Sequence, residues 1–247
     1  MQLQLQTWQE VEAYLQTSRG IILPIGSTEQ HGPIGLIGTD AICAEVIARG
    51  VGDATGALVA PTIAVGMAQH HLGFPGTMTM RPSTLIAVLR DMIDSLARHG
   101  FDRFYFLNGH GGNIATLTAA FSEIYAARSL SAGSNVPPIK CRLRNWWANQ
   151  EVQALAKELY GEAEGSHATP SEVAVTQFAY PDAIKSATLD PPIAPRGDFG
   201  DAADYRRKFP DGRIGSNSGL ATPEAGQRLY EAAVAAIAKD YQSWIAA

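Results

Sequence analysis

Three short polar clusters carry the residues of this chain that could do chemistry. STEQHG runs from Ser27 to Gly32, with GTD shortly after it from Gly38 to Asp40; NGHGGN spans Asn108 to Asn113, and GSHATPSE spans Gly165 to Glu172. Together they hold Glu29, Asp40 and Glu172 with His31, His110 and His167, three of the six histidines. Imidazole nitrogens and carboxylate oxygens are ligands that zinc, manganese and ferrous iron accept. Six such residues are enough for two metals that share a bridging carboxylate. A metal pair of this kind ionises a bridging water near neutral pH and polarises an amide carbonyl, which permits hydrolysis without a serine or cysteine nucleophile.

Glu29 and His31 lie two residues apart just past a strand-like run, where a period of two points both side chains the same way. Gly32, Pro33, Gly35 and Gly38 permit a tight return that brings Asp40 back towards them. NGHGGN has three readings. Its histidine could be a metal ligand or acid/base group, its glycines could cradle a phosphate at a helix N-terminus, or it could be a plain turn. The spacing matches neither the dinucleotide nor the P-loop pattern, and no basic residue follows closely. His167 and Glu172 flank Pro170 at a helix start, where helix capping is the plainer alternative. His70 and His71 lie in the glycine-rich GMAQHHLGFPGT, where pocket lining and a surface loop are both open. His99, in the last turn before Gly100, reads as structural, because a cation there suits the helix dipole.

The elements that must position these clusters alternate between strand-like and helix-like segments. Gly20 to Gly26 (GIILPIG) is a short apolar run ended by glycine, as expected of a buried strand. Asp40 then opens a helix near its N-cap. Ala57 to Gly66 reads as a second strand and Thr77 to Met80 as a short third. An amphipathic helix starts at Pro82 and stops at Gly100. Phe101 to Gly109 and Ile139 to Trp147 are further strands, followed by helices over Asn113–Leu130 and Ala148–Tyr160. Another helix covers Ser171 to Phe178, and Pro223 to about Ala246 gives the last. Pro181 to Gly219 reads as a long irregular excursion, with its basic run Arg206-Arg207-Lys208 a solvated loop. Repeated strand-then-helix order predicts an α/β fold with a mostly parallel sheet covered by helices on both faces. Open sheets of this type bind ligands at the carboxyl ends of their strands. Ser27 and Asn108 follow two such ends, so two of the three clusters should meet at one rim.

Composition narrows the class. The 247 residues are 46% apolar, enough for a substantial core. A net charge of −5 provides no basic field to recruit nucleic acid or an anionic membrane. No stretch approaches the ~18 consecutive apolar residues of a spanning helix. The amino terminus lacks the basic start and apolar run of a signal peptide. Cys43 and Cys141 are too few for a disulfide framework and are expected as buried free thiols in a reducing compartment. The expectation is a soluble, cytoplasmic protein whose partner is a small-molecule substrate, with no nucleic acid and no membrane.

STEQHGPIGLIGTD, the FPGT after GMAQHHLG, NGHGGN and HATPSE, in this order and spacing, resemble the creatininase family from about Ile21 to the ATPEAG segment near the carboxyl terminus. The resemblance implies one three-layer α/β/α domain over residues 1–247 and two divalent metal ions per chain, zinc, manganese or iron. It also implies a homo-oligomer, often a hexamer. Glu29 and His110 would bind one metal, His31 the other, and Asp40 would bridge. In the family the second metal's glutamate lies two residues after the histidine of the NGH motif. That position is Gly112 here, so Glu172 is the expected substitute. His167 would orient or protonate the substrate, while His71 and Gly111 are expected to line its pocket. GMAQHH places Ala68 and His70 where the family carries serine and glutamate, and Pro170 replaces a further glutamate. The implied activity is metal-dependent hydrolysis of a non-peptide C–N bond, as in a cyclic amide or formamide. A peptidase-like or C–C hydrolase with the same centre, and a non-catalytic metal or small-ligand binding protein, are the alternatives.

Overall fold

The computed structural model describes residues 1–130 and 138–247. Four parallel strands form its sheet: β1 (Gly20–Ile25), β2 (Leu58–Val59), β3 (Arg103–Asn108) and β4 (Lys140–Asn145), in the order β2-β1-β3-β4. Around them lie α1 (Trp8–Tyr14), α2 (Thr39–Thr55), α3 (Pro82–Arg98), α4 (Ile114–Leu130), α5 (Gln150–Tyr160), α6 (Pro170–Ala179), α7 (Ala202–Lys208) and α8 (Pro223–Ile245).

Side-chain alternation along the central strands divides the core into two layers. Ile21, Leu23 and Ile25 of β1 and Phe104 and Phe106 of β3 pack on Leu85 and Leu89 of α3 and Leu117 and Ile124 of α4. Ile22 with Tyr105 and Leu107 packs on the opposite side, against Ile47 and Val51 of α2, Val152 of α5 and Leu229 of α8. All six residues of β1 are buried, as a parallel strand covered on both faces requires. The result is the expected three-layer α/β/α arrangement. No helix among the described residues is long and apolar enough to cross a membrane.

Register then does the work of positioning. Ile25 pairs with Asn108, and Asn108 pairs with Asn145, so β1, β3 and β4 end level at one rim. Asn108 fastens that rim by donating its side-chain amide to Asn145 Oδ1 at 2.9 Å and to the His110 carbonyl at 2.6 Å.

Several boundaries differ from the sequence reading. The second strand is only Leu58–Val59, because its continuation leaves the ladder after Ala60 and touches β1 again only through Ile63. Thr77–Met80 is not a strand: Met78 forms an isolated antiparallel bridge with Thr28, and Met80 N–H donates instead to Gly66. The excursion after Pro181 contains α7, whose amino end is capped by Asp201. Its basic run is therefore the last turn of a helix rather than a loop. Arg207 and Lys208 pair with Asp204, and Arg206 lies over the Phe74 ring at 4.2 Å. Cys43 is buried but Cys141, on β4, is only half-buried. His99 sits at the C-cap of α3, in the structural place expected of it.

Candidate metal centre

The loop after β1 folds back on itself. Glu29 N–H donates to the Ile37 carbonyl at 2.7 Å and Gly35 N–H to the His31 carbonyl at 3.1 Å. This antiparallel return delivers Asp40, in the first turn of α2, back to Glu29 and His31. His110 arrives from the end of β3, and Glu172 from the first turn of α6.

Asp40 lies between two imidazoles: Oδ1 is 3.1 Å from His31 Nε2, and Oδ2 is 3.0 Å from His110 Nδ1. Glu29 Oε2 lies 3.3 Å from His110 Nε2, and Glu172 Oε1 lies 3.8 Å from His31 Nε2. Ligand atoms of Glu29, Asp40 and His110 fall within 4.8 Å of one another, as do those of His31, Asp40 and Glu172. A third trio, Glu29, His31 and His167, meets the same limit. Asp40 is common to the first two.

Each histidine is oriented by a backbone carbonyl, as metal-ligating imidazoles commonly are. His31 Nδ1 lies 3.0 Å from the Glu29 carbonyl, which turns Nε2 towards Asp40. His110 Nε2 lies 3.0 Å from the Met67 carbonyl, which leaves Nδ1 facing Asp40.

The electrostatics ask for positive charge. Burial would lower the His31 and His110 pKa values, yet the surrounding carboxylates push them up to about 10 and about 9. Burial would raise Asp40, but His31 and His110 hold its carboxyl well below the usual carboxylate range. Both oxygens of Glu29 and Oδ2 of Asp40 are buried without a hydrogen-bond partner. Imidazole nitrogens lie as near as 3.0 Å to them, but not in hydrogen-bonding alignment. Buried charged oxygens left this way are costly unless a cation meets them. A hard or borderline divalent ion fits this donor set.

Glu172 caps its helix and faces the cluster at once. Its Oε1 accepts the Thr169 backbone N–H at 2.7 Å while the Thr169 hydroxyl accepts the Glu172 N–H, a complete capping box. Capping and ligand reach thus coexist in one side chain. Burial pushes its pKa up to about 7, against the pull of His31. Ala168, just before the box, takes a left-handed φ of 52°, sparsely populated by residues with a Cβ. That turn sets His167 and Thr169 on their separate courses.

Gly112, where the family's glutamate stands, has no room for a side chain. A Cβ there would lie 2.4 Å from His110 Nε2 and 2.5 Å from the Met67 carbonyl. A Cβ at Gly111 would meet nothing within 4 Å. Gly111 lines the cavity.

His167 lies beside the cluster, with Nδ1 3.9 Å from Glu29 Oε1. Its ring stacks on that of His71 at a centroid distance of 4.3 Å and packs, tilted, against that of His31 at 4.7 Å. Burial, reinforced by His71 and His31, pushes its pKa well below the ordinary histidine value, so the ring is neutral. His71 is itself buried, with Nε2 3.1 Å from Glu29 Oε1. His70 packs on His71 and Phe199, and burial takes its pKa down to about 4. The imidazoles open onto a cavity of about 760 Å³ walled by Trp146, Trp147, Phe199 and Tyr205, with Glu164 and Lys157 as charged groups. Burial raises the Glu164 carboxyl, whose Oε1 accepts the Ser171 hydroxyl.

Three participants were invisible in the residue pattern. Gln30 reads as a spacer between Glu29 and His31, yet its amide reaches His71, His167 and the Gly212 carbonyl. Tyr205 and Gly212 come from the excursion after Pro181, which closes over the centre. Arg213, fully buried, clamps that segment by donating to Asp211 and to the carbonyls of Pro191, Pro192 and Ser216. The tyrosine in α7 and the glycine ahead of a buried arginine offered no periodicity by which to find them.

A family model described as creatininase, creatinine amidohydrolase, matches residues 4–241. The creatinine amidohydrolase of Pseudomonas putida is 29% identical over 188 residues, covering 72% of this chain and 71% of that protein. The mycofactocin precursor peptide peptidase of Mycolicibacterium smegmatis is 39% identical over 106 residues, 40% of this chain and 42% of that one. A solved structure described as creatininase Mn superposes with a TM-score of 0.83 at 25% identity, covering 99% of this chain and 98% of its own. With the family model matched from residue 4 to residue 241, and the fold shared over nearly the whole length of a solved creatininase, the chain belongs to the creatininase family.

Proposed function

We propose that the protein is a metal-dependent amidohydrolase that cleaves a non-peptide C–N bond, of cyclic amide or formamide type. One observation carries this reading: two ligand trios share the carboxylate of Asp40, around buried carboxylate oxygens that lack hydrogen-bond partners. Glu29, Asp40 and His110 would hold one divalent ion, and His31, Asp40 and Glu172 a second, with zinc, manganese and iron all suited to the donors. Bound there, the ions supply a Lewis acid for a carbonyl oxygen and an acidified water.

The chain's own residues do the rest. His167, neutral through burial, takes a proton from the attacking water and returns it to the leaving nitrogen. The aromatic walls hold the apolar part of a substrate and exclude water, and Gly111 leaves its approach open. Copies of the chain assemble as a homo-oligomer, in keeping with the family's hexamers; light scattering of the purified protein tests this.

The test is a panel of formamides, lactams and cyclic ureides, offered to protein loaded in turn with zinc, manganese and iron. Turnover should appear with at least one class, vanish on chelation and fall at least a hundredfold in His167→Ala. Turnover that survives chelation would refute the reading. The higher identity to a peptide peptidase favours a second reading, a peptide bond as substrate at the same centre. Short peptides in the panel separate the two. Metal uptake with no turnover on either panel would instead leave a binding protein.

A further inference from the structure

Five imidazoles gather at the centre, and four of them have polar partners. His31, His71, His110 and His167 each lie against a carboxylate or a backbone carbonyl. His70 does not. Its ring nitrogens make no hydrogen bond or ion pair among the described residues, and neither nitrogen is sealed from open space.

The ring is nonetheless held in place. A single turn, Gln69–His71, sets its backbone, closed by the His71 N–H donating to the Ala68 carbonyl at 2.9 Å. Phe199 stacks on the imidazole at 4.9 Å and 21°, and His71 packs against it, tilted, at 4.1 Å. Tyr205 approaches to 5.8 Å. The loop that brings Phe199 is anchored on both sides: Arg196 donates to the Glu162 carbonyl at 2.7 Å, and Asp201 caps α7. Aromatic contacts of this kind take up ring faces and leave the edge, where an imidazole carries its nitrogens. His70 lines the same cavity as Asp40, His110 and Gly111, so that edge opens beside the metal centre. A polar edge fixed by packing and left without a protein partner is one that a ligand can complete.

The chemistry of the edge narrows the partner. A neutral imidazole offers one donor and one acceptor, and whichever nitrogen holds the hydrogen, a group that both donates and accepts will fit. Hydroxyls and carboxamides do both, whereas a carboxylate only accepts and an ammonium only donates. We infer that His70 is a specificity-determining residue whose open edge hydrogen-bonds a hydroxyl or a second carboxamide of the substrate, beside the group that is hydrolysed. This rests on the proposed reading of the cavity as the substrate site of a metal hydrolase; the unpartnered edge itself does not.

Hydroxamates test the two separately, because their chelating head binds a divalent metal whatever the tail. Dissociation constants are measured by calorimetry on zinc-loaded protein at pH 8, where an ordinary imidazole is neutral. The probes are acetohydroxamate and homologues carrying a hydroxyl, a carboxamide or a carboxylate one to four carbons from the head. The best hydroxyl or carboxamide homologue should bind about three- to tenfold tighter than acetohydroxamate, the worth of one hydrogen bond, and no carboxylate homologue should match it. His70→Phe keeps the stacking and removes the polar edge. It should erase that gain while zinc content and acetohydroxamate affinity stay at the wild-type values; His70→Leu serves if it does not fold. His70→Gln, which both donates and accepts, should recover part of the gain. Acetohydroxamate that binds while no tail gains affinity, or a gain that survives loss of the imidazole, would overturn the inference and leave the metal reading standing. Zinc-loaded protein that binds no hydroxamate would instead defeat the metal reading. Diethyl pyrocarbonate then decides the edge by itself: peptide masses should show His70 acylated before His31, His71, His110 and His167, and slower reaction at His70 would refute an open edge.

Discussion

Glu172 reaches within 3.8 Å of His31 Nε2 with the same oxygen that accepts the backbone N–H of Thr169. A helix cap and a ligand position therefore coincide in one carboxylate, and the two roles can be pulled apart. Glutamine serves in a capping box as glutamate does. Glu172→Gln should keep the helix start and lose about one metal ion per chain. Thr169→Ala should do the reverse, costing about 1 kcal/mol of stability, which in a chain of this size lowers Tm by about 2–4 °C, with metal content unchanged. Equal metal loss in both variants would mean that Glu172 acts only through the helix.

Gly112 gives a second test, because family resemblance and packing point opposite ways. The family's ligand glutamate stands at this position, yet here a Cβ would meet His110 and the Met67 carbonyl at 2.4 and 2.5 Å. Gly112→Glu should lower stability by about 1–3 kcal/mol, as overpacking typically does. It should not restore metal to Glu172→Ala. Recovery of the second ion in the double variant would show that the loop yields readily.

The charge pattern predicts a stability profile for chelated protein. His31 and His110 carry folded pKa values of about 10 and about 9 against an ordinary 6.5, so their contribution is full below pH 6.5 and lost as pH rises through 9 to 10. Glu172, raised from 4.5 to about 7, acts in the same sense at lower pH: its protonated form favours the fold, and that contribution is gone above pH 7. His70 and His167, both lowered, contribute fully above pH 6.5 and so do not oppose the loss at higher pH. Thermal melts of the chelated protein should therefore fall between pH 7 and 10, and metal-loaded protein should hold its Tm over that window. Parallel profiles with and without metal would contradict this.

The centre was legible in the sequence to the extent that its chemistry is local. Glu29, His31, Asp40 and His110 sit at ends of apolar strands or in glycine-rich returns, where buried polar groups need partners. Register then brings Ile25 and Asn108 level. Glu172 was legible through both of its alternatives: it completes a capping box and lies within reach of His31. What could not be read was the support. Gln30 has no distinctive spacing, and its partners Tyr205 and Gly212 lie some 175 and 182 residues away in the chain. Their contact depends on how a segment without periodicity closes over the rim. The missed helix α7 has the same cause: seven residues, mostly charged or small, with only Tyr205 buried. Thr77–Met80 failed the opposite way, with strand-like composition but a single bridge to pair with.

The shared carboxylate of Asp40 is the centre of the account, and elemental analysis of wild type and Asp40→Ala, each purified from metal-supplemented medium and checked for folding by circular dichroism, tests it most directly. Two divalent ions per wild-type chain and essentially none in folded Asp40→Ala is the result predicted. Folded Asp40→Ala that retains the wild-type metal content would contradict it.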